Sequence, residues 1–296
     1  MTSYTDKLGK VDGKASVSVV IPCYCCSETI NRTLASVAEQ TMLPYEVLLI
    51  EDASPDQGKT REALHRLVDQ YGDIFAVKLI LMGVNGGAAS ARNAGWTIAT
   101  QPYIAFLDSD DAWHPQKIEC QYKYMQAYPD VVLCGHTYRI LRASEKYSRE
   151  KYTSVLYTAT ARAIRPLNLL LSNPFVTPSV MVKSDIPFRF MPGKRYTDDH
   201  LLWMEIALAG LKVVKLPTPL ALIDKALYGE GGLSSHMWAM EKGELHNYWH
   251  LHKTGRIGLP MVMGLMTFSL AKYMRRIVIM GTRRVSAWTR QRNKEA

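Results

Sequence analysis

Tyr103-Ile-Ala-Phe-Leu-Asp-Ser-Asp-Asp111 decides how the rest of the chain is read. Its first five residues carry no charge and have the character of a strand buried on both faces. The run ends in three carboxylates within four positions. Such a cluster repels itself, and a fold tolerates it at a strand end mainly when a cation neutralises it. Hard divalent ions such as Mg²⁺ and Mn²⁺ take one or two carboxylates and complete their shell with phosphate oxygens, so the expected guest is a metal carrying a diphosphate. The competing reading is a helix cap, with Asp110 or Asp111 favoured by the dipole of a helix beginning near Pro115. A cap needs one acid, and here there are three.

Working outward, Val17-Ser-Val-Val-Ile-Pro22, Glu46-Val-Leu-Leu-Ile50 and Ala76-Val-Lys-Leu-Ile-Leu81 precede this strand as similar runs, and Val131-Val-Leu-Cys134 follows it. Helical spacings separate them. Ser27 reads as the cap of a helix carrying Ile30, Leu34, Val37 and Ala38, and further helices are expected over Gln57–Gln70, Gly87–Ala99 and Pro115–Tyr128. Strand and helix in alternation predict an α/β fold with a Rossmann-like, mostly parallel sheet and helices on both faces. Ligands of such a sheet bind at the carboxyl ends of its strands. Function is therefore sought just after Ile50, Leu81 and Leu107. Past Tyr138 the pattern weakens: Arg142 to Lys151 reads as an exposed loop, Ser179–Val182 as a strand, Asp198–Ala209 as a helix, and Lys212–Ile223 as a run broken by Pro217 and Pro219. After Gly229-Glu-Gly-Gly232 the chain turns helical, with breaks near Gly255 and Pro260. The expected organisation is a tail (1–16), two halves of one domain (17–135 and 136–228) and a C-terminal helical extension (229–296).

Two more clusters share the expected sheet edge. In Glu51-Asp52-Ala-Ser54-Pro-Asp56, Asp52 can accept hydrogen bonds from a base or ribose, while Ser54-Pro55-Asp56 reads equally as a turn opening the next helix. In Asn85-Gly-Gly-Ala-Ala-Ser-Ala-Arg92-Asn93-Ala-Gly95, small residues permit close approach of the backbone to a ligand, and Arg92 can reach a phosphate. Neither G-x-G-x-x-G nor the G-K-[ST] ending of a P-loop is present, which argues against dinucleotide binding and ATP hydrolysis. Packing of a helix on a sheet explains the alanines. It does not explain Arg92.

Together these segments resemble the inverting glycosyltransferases of family 2, with the GT-A fold. That family's P-x-Y-N is met by Pro22-Cys-Tyr24, its S-x-x-x-Q by Ser36 to Gln40, its D-D-x-S-x-D by Glu51 to Asp56, its N-x-G-x-x-x-A-R-N-x-G by Asn85 to Gly95, and its D-x-D by Asp108 to Asp110. Cys25 stands where the family usually has Asn, and Glu51 replaces the first Asp of the pair. The resemblance covers about Val17 to Cys134. It implies a nucleotide-diphosphate sugar donor, most readily UDP-linked, a divalent cofactor (Mn²⁺ or Mg²⁺), and a single displacement at the anomeric carbon. Donor contacts are then expected from Pro22, Tyr24, Glu28, Asp52, Asn85, Arg92, Asp108 and Ser109, and metal contacts from Asp108 and Asp110. The 17–135 half would hold the donor and the 136–228 half the acceptor.

Such a transfer needs a base beside the acceptor hydroxyl, which loses its proton as the new bond forms. The family places it in an E-D pair at a helix start, resembled here by Thr197-Asp198-Asp199-His200, so Asp199 is expected as the base and Asp198 as its substitute. Capping of that helix is the other reading of either residue. His236 lies where some relatives supply a further metal or diphosphate contact, and also reads as a solvent-facing residue at a helix start. Cys23, Cys25 and Cys26 invite a zinc site, yet no second pair at suitable spacing accompanies them, and small buried thiols are expected instead.

Composition adds the setting. At 47% hydrophobic, 296 residues can bury a sizeable core, which excludes general disorder. The longest apolar stretch, Ile257–Ala271, is too short for a membrane span and contains Pro260. A polar N-terminus with no apolar run before Val17 argues against a secretory signal, which makes the cytoplasm the expected compartment. Five cysteines do not describe a disulfide framework. Ten of the 36 basic residues fall in residues 253–296 against one acid, so this tail carries the whole net charge of +9 and the rest is neutral. Lys272, Arg275, Arg276 and Arg283 share one side of a helical wheel, Met274, Ile277, Val278, Val285 and Trp288 crowd the other, and Ile279 and Arg284 spoil the separation. This pattern fits a helix lying on an anionic membrane surface, a helix packed back on the body, or a basic arm for nucleic acid. The first is the expectation, with no nucleic-acid partner. The protein is then peripheral at the inner face of the cell membrane, and its acceptor is a saccharide, most readily lipid-linked, in polysaccharide or glycan assembly. The rival readings are transfer of a sugar directly to polyprenyl phosphate and a non-enzymatic adaptor, against which Asp108, Asp110 and Asp199 together argue.

Overall fold

The computed structural model describes residues 13–140, 160–224 and 236–295, with side chains as far as Ile279. Four parallel strands, β1 (Ala15–Cys23), β2 (Pro44–Glu51), β3 (Ala76–Leu81) and β4 (Tyr103–Phe106), stand in spatial order β3-β2-β1-β4. Their alternating residues feed two cores. Val17, Val19 and Ile21 pack on one face with α1 (Ile30–Ala38) and α2 (Lys59–Tyr71), while Val20, Leu48 and Ile50 pack on the other with α3 (Gly87–Ile98). Winding therefore reverses between β1 and β4. This is the switch point at which open α/β sheets bind ligands, and the loops after β1, β2 and β4 meet there.

Beyond β4 the sheet is mixed. β8 (Met181–Lys183) runs antiparallel between β4 and β6 (Val131–Ile140), and β9 (Lys212–Ile223) lies parallel to β6. The short strands β5 (Ala112–Trp113) and β7 (Arg162–Ala163) each pair antiparallel with β9. Helices α4 (Lys117–Ala127), α5 (Pro166–Leu171), α6 (Asp198–Leu208), α7 (Met237–Lys253) and α8 (Leu259–Glu295) complete the described chain.

Several boundaries differ from expectation for identifiable reasons. β9 is continuous where two prolines predicted a break, because its pairing with β6 jumps from His136↔Leu216 to Thr137↔Pro219, leaving Pro217 in a bulge that needs no N–H. β6 runs on to Ile140, across the 135/136 boundary, through a polar stretch that carries no strand signal. α1 begins at Ile30 with Thr29, not Ser27, in the N-cap position, and α4 begins at Lys117. The charged loop Arg142–Lys151 and the glycine-rich Gly229–Ser235 lie outside the described residues.

The tail departs most. α8 is a single helix with Pro260 in its first turn, a position where no intrahelical N–H bond is lost. Val262, Leu265 and Ser269 are buried, so its first half belongs to the body's core and is not a detachable interfacial helix. Lys272, expected among bases facing an anionic membrane, turns inward and donates to the Leu171 carbonyl at 2.8 Å. Met263, Met274, Ile277 and Val278 remain exposed away from that stripe, and Phe268 is exposed beside Lys272, whose Nζ lies 5.0 Å from its ring centroid. The side chains of Arg283, Arg284, Val285 and Trp288 lie outside the described set. Among the described residues no helix is long and apolar enough to cross a membrane.

Candidate active site

The acidic loop after β4 is held by its backbone. Thr33 Oγ1 lies 2.9 Å from the Ser109 carbonyl and 2.7 Å from that of Asp111, and the Arg32 guanidinium donates to the Asp110 carbonyl while pairing with the Asp224 carboxylate at 3.0 Å. One turn on, Ser36 Oγ accepts the Trp113 N–H at 3.0 Å, and Gln40 donates to the His114 carbonyl and accepts from the Ile118 N–H, both at 2.9 Å. The Ser36–Gln40 motif is thus a brace for this loop. Asp111 turns inward and accepts the Asp224 N–H at 3.1 Å. Burial, followed by the charges of Asp108 and Asp110, holds its carboxyl well above the usual range.

The loop into α3 is organised by Asp52, whose two carboxylate oxygens accept the N–H groups of Gly86 and Gly87 at 2.7 and 2.8 Å. Asn85 returns a bond to the Asp52 carbonyl at 2.9 Å. Asp52 thereby serves the turn and still borders the cavity. Gly95 lets α3 lie on the sheet: a Cβ there would stand 2.5 Å from Val20 Cγ1. Asn93 clasps Phe190 through both backbone groups, at 2.7 and 3.1 Å, and the Phe190 ring carries the Arg92 guanidinium 5.3 Å from its centroid.

Arg92 is the hub. Its guanidinium lies 2.7 Å from Asp108 and 3.1 Å from Asp198, joining the end of β4 to the start of α6. Burial opposes its charge, but Asp108 and Asp198 outweigh that and raise its pKa. Asp198 is itself pushed up to about 6 by burial, against the lowering pull of Arg92. The turn that presents it is strained: Thr197, β-branched, sits at φ +55°, and Asn247 of α7 holds it by donating to its carbonyl at 3.0 Å and its hydroxyl at 3.1 Å. Asp199 is oriented by Thr177, whose hydroxyl donates to Oδ2 at 3.0 Å, and by the His200 N–H, 2.7 Å from Oδ1.

Asp52, Arg92, Asp108, Asp111, Asp198 and Asp199 border a cavity of about 1090 Å³. Of the residues singled out in the sequence, Tyr24, Asp52, Asn85, Arg92, Asp108, Asp198 and Asp199 line it. The others stand elsewhere. Pro22 is buried within β1 opposite Ile50, Glu28 is exposed, and Ser109 and Asp110 lie beside the cavity, bound to α1 through their carbonyls. His236 is exposed at the start of α7, its ring 6.4 Å from that of Tyr196, which does border the cavity. Cys23 and Cys26 are buried, the Cys23 thiol donating to the Ile21 carbonyl at 3.4 Å, but Cys25 is exposed, contrary to expectation, in a turn at φ +48°. Sequence reasoning missed Thr33, Thr177 and Lys194, which lie outside any strand-end cluster and reach the site only through the fold, and it placed Lys272 on a membrane-facing stripe.

The acidic loop offers a divalent ion two carboxylates, Asp108, which also pairs with Arg92, and Asp110. Among the described residues no group of three His, Cys, Asp or Glu side chains converges as a closed cage. Mg²⁺ and Mn²⁺ bound with a diphosphate need only one or two carboxylates, and Asp108 and Asp110 stand one residue apart on a loop fixed by its carbonyls.

Comparison with known proteins bears on the fold and the family. AmsB of Erwinia amylovora, an amylovoran biosynthesis glycosyltransferase, is 38% identical over 104 residues, covering 35% of this chain and 34% of AmsB. The Escherichia coli UDP-Glc:alpha-D-GlcNAc-diphosphoundecaprenol beta-1,3-glucosyltransferase WfgD is 36% identical over 109 residues, covering 37% of this chain and 40% of WfgD. The chain thus spans about a third to two fifths of the length of these curated relatives. Among solved structures, S. aureus TarS 1–349 in complex with UDP-GlcNAc superposes with a TM-score of 0.60 at 18% identity, covering 79% of this chain and 66% of that one. The mannosyltransferase PcManGT of Pyrobaculum calidifontis, in complex with GDP-Man and Mn²⁺, gives 0.55 at 18% identity over 87% of this chain and 74% of that one. The fold is therefore GT-A. A family model described as Glycosyl transferase family 2 matches residues 18–184, over half the chain, from β1 past the acidic loop to the end of β8, and the chain belongs to that family.

Proposed function

We propose that the protein transfers a sugar, with inversion, from a nucleotide-diphosphate donor, UDP-linked by preference, to a saccharide acceptor carried on a lipid, in polysaccharide or glycan assembly at the inner face of the cell membrane. The observation that carries this reading is Arg92, which ties Asp108 at the end of β4 to Asp198 beside Asp199 across one cavity. A donor diphosphate at the first and an acceptor hydroxyl at the second then share one chamber. Asp199 takes the proton as the acceptor oxygen bonds to the anomeric carbon and the bond to the diphosphate breaks. Thr177 and the His200 N–H fix its orientation, whereas Asp198 is committed to Arg92. Asp108 and Asp110 would hold Mn²⁺ or Mg²⁺, which would neutralise the charge on the departing diphosphate. The names of WfgD and TarS's ligand support a UDP-linked donor, and that of WfgD supports a lipid diphosphate acceptor. The test is a screen of nucleotide-sugars with purified protein and Mn²⁺, scoring donor hydrolysis and transfer. Hydrolysis of one or two UDP-sugars is expected, and inertness toward every donor would overturn the reading.

A further inference from the structure

Charge is distributed unevenly around the cavity. Among the described residues six cations line it, and of these Arg92 alone belongs to the half that carries Asp52, Asp108 and Asp111. Lys194, Arg195 and Lys215 belong to the half that also carries Asp198 and Asp199, and Lys272 and Arg276 to the C-terminal extension. The last two come from α8. Val262, Leu265, Ser269, Lys272 and Arg276 succeed one another at intervals of three and four, the spacing of a single helix stripe. The first three are buried against the body, and the last two border the cavity. The stripe thus changes from apolar to basic where it passes from the core to the cavity.

Two carboxylates of α7, Glu241 and Glu244, face the same space. Glu244 accepts the Tyr248 hydroxyl at 2.8 Å and lies 3.3 Å from Lys272 Nζ. An ammonium has three hydrogens. The Leu171 carbonyl and Glu244 take two, so these contacts position Lys272 without exhausting it.

We infer that Lys272 and Arg276 form a phosphate-binding wall on the acceptor side of the cavity, taking the diphosphate of a lipid-linked acceptor and not that of the nucleotide. The inference rests on the transfer reading above and adds the chemical class that α8 selects. The donor side offers Asp108 and Asp110, which through a metal can meet one diphosphate. A second anion needs cations of its own, and α8 supplies them on the side away from its exposed Met274, Ile277 and Val278, which suit the apolar surroundings of a lipid carrier. One helix then contacts both the lipid surface and the phosphate of the molecule drawn from it.

The test uses the full chain and a saccharide-free probe, n-decyl diphosphate, titrated by calorimetry with UDP and Mn²⁺ saturating, and n-decyl glucoside as the uncharged control. The wild type is expected to bind the diphosphate with UDP in place. The Lys272→Gln/Arg276→Gln pair should weaken that binding at least tenfold and change UDP affinity less than twofold. Arg276→Gln alone, at a half-exposed position, should give a smaller loss of the same kind should the pair fail to fold by circular dichroism. Arg275→Gln, exposed and off the stripe, should change neither. No binding of n-decyl diphosphate, its exclusion by UDP, or an equal loss of UDP affinity in the variants would overturn the inference. An equal effect of Arg275→Gln would do so too, since it would reduce the site to diffuse charge. A protein that binds the probe but hydrolyses no nucleotide-sugar would overturn the transfer reading instead, so the two failures are distinguishable.

Discussion

Arg92→Met puts the hub to a quantitative test. Arg92 is 5% exposed and Asp198 9%, so their interaction is little screened by solvent. Methionine keeps most of the volume beside Phe190 and removes the charge. Asp198 is then left buried and uncompensated, a defect that typically costs about 3–5 kcal/mol. The pH dependence makes the expectation sharper. In the wild type Asp198 is raised to about 6, above an unfolded value near 3.9, so its ionised form is disfavoured by folding. The resulting destabilisation is absent below pH about 4, grows to about 3 kcal/mol as pH rises through 6, and is level above that. Arg92 is what restrains the shift. Without it the folded pKa climbs further, and the variant should keep losing stability between pH 6.5 and 8, where the wild type gains or loses nothing from this group. Urea unfolding followed by circular dichroism at pH 5, 6.5 and 8 measures this, and Arg92→Met/Asp198→Asn should recover part of the loss and flatten its pH dependence. A loss below about 1 kcal/mol, equal at pH 5 and 8, would refute the reasoning.

Four further outcomes are expected. Asp199→Asn should lower transfer by at least about a hundredfold while UDP affinity by calorimetry stays unchanged, and equal losses in both would move Asp199 into the donor site. EDTA should abolish activity and Mn²⁺ or Mg²⁺ restore it, and full turnover by Asp110→Ala in metal-free buffer would contradict the assigned ligand; its melting temperature should change little, because the loop is held by carbonyls. Gly95→Ala should cost about 1–3 kcal/mol in thermal or urea unfolding, since its Cβ would stand 2.5 Å from Val20, and an unchanged midpoint would show that α3 yields freely. Deleting residues 280–296 should leave the fold intact and reduce co-sedimentation with anionic vesicles, whereas deletion from Leu259 should expose core and cause aggregation; a longer deletion that stays folded would contradict the packing of Val262 and Leu265.

The half of the fold that was legible in the sequence is the half in which one residue type answers one demand. Val17–Pro22, Glu46–Ile50 and Tyr103–Leu107 are apolar on both faces because both faces are covered, and that pattern has few alternatives. β5 and β7 are two residues long and exist only because β9 is there to pair with them, so no local signal announces them. The site divides in the same way. Arg92 was visible because packing alone gives no reason for a buried guanidinium among alanines. Ser36, Gln40 and Asn93 were visible as motif members, but their work as braces was not, since a side chain that bonds a distant backbone leaves no trace in spacing. Asp52 was read as a ligand contact beside a turn at Ser54–Asp56, and the structure gives it a task neither reading held, bracing the loop into α3 through Gly86 and Gly87 at the cavity edge.

α8 shows why a helical wheel can divide residues correctly and still misplace them. Lys272 and Arg276 were grouped with Arg275 as a solvent or lipid face, because a wheel sorts side chains by angle and assumes that charge points to water. The rule fails where the packed stripe runs past the edge of the core into a polar cavity. There, the angle that was buried at Val262 and Leu265 becomes the angle that faces a ligand, and bases at that angle are inward without being desolvated. The exposed angle, freed of those bases, is left to Met274, Ile277 and Val278. Lipid attachment and anion binding are then assigned to opposite sides of one helix. Charge reversal separates them: changing Lys272 and Arg276 should act on acceptor binding with vesicle affinity kept, and polar replacements at Met274, Ile277 and Val278 should do the reverse.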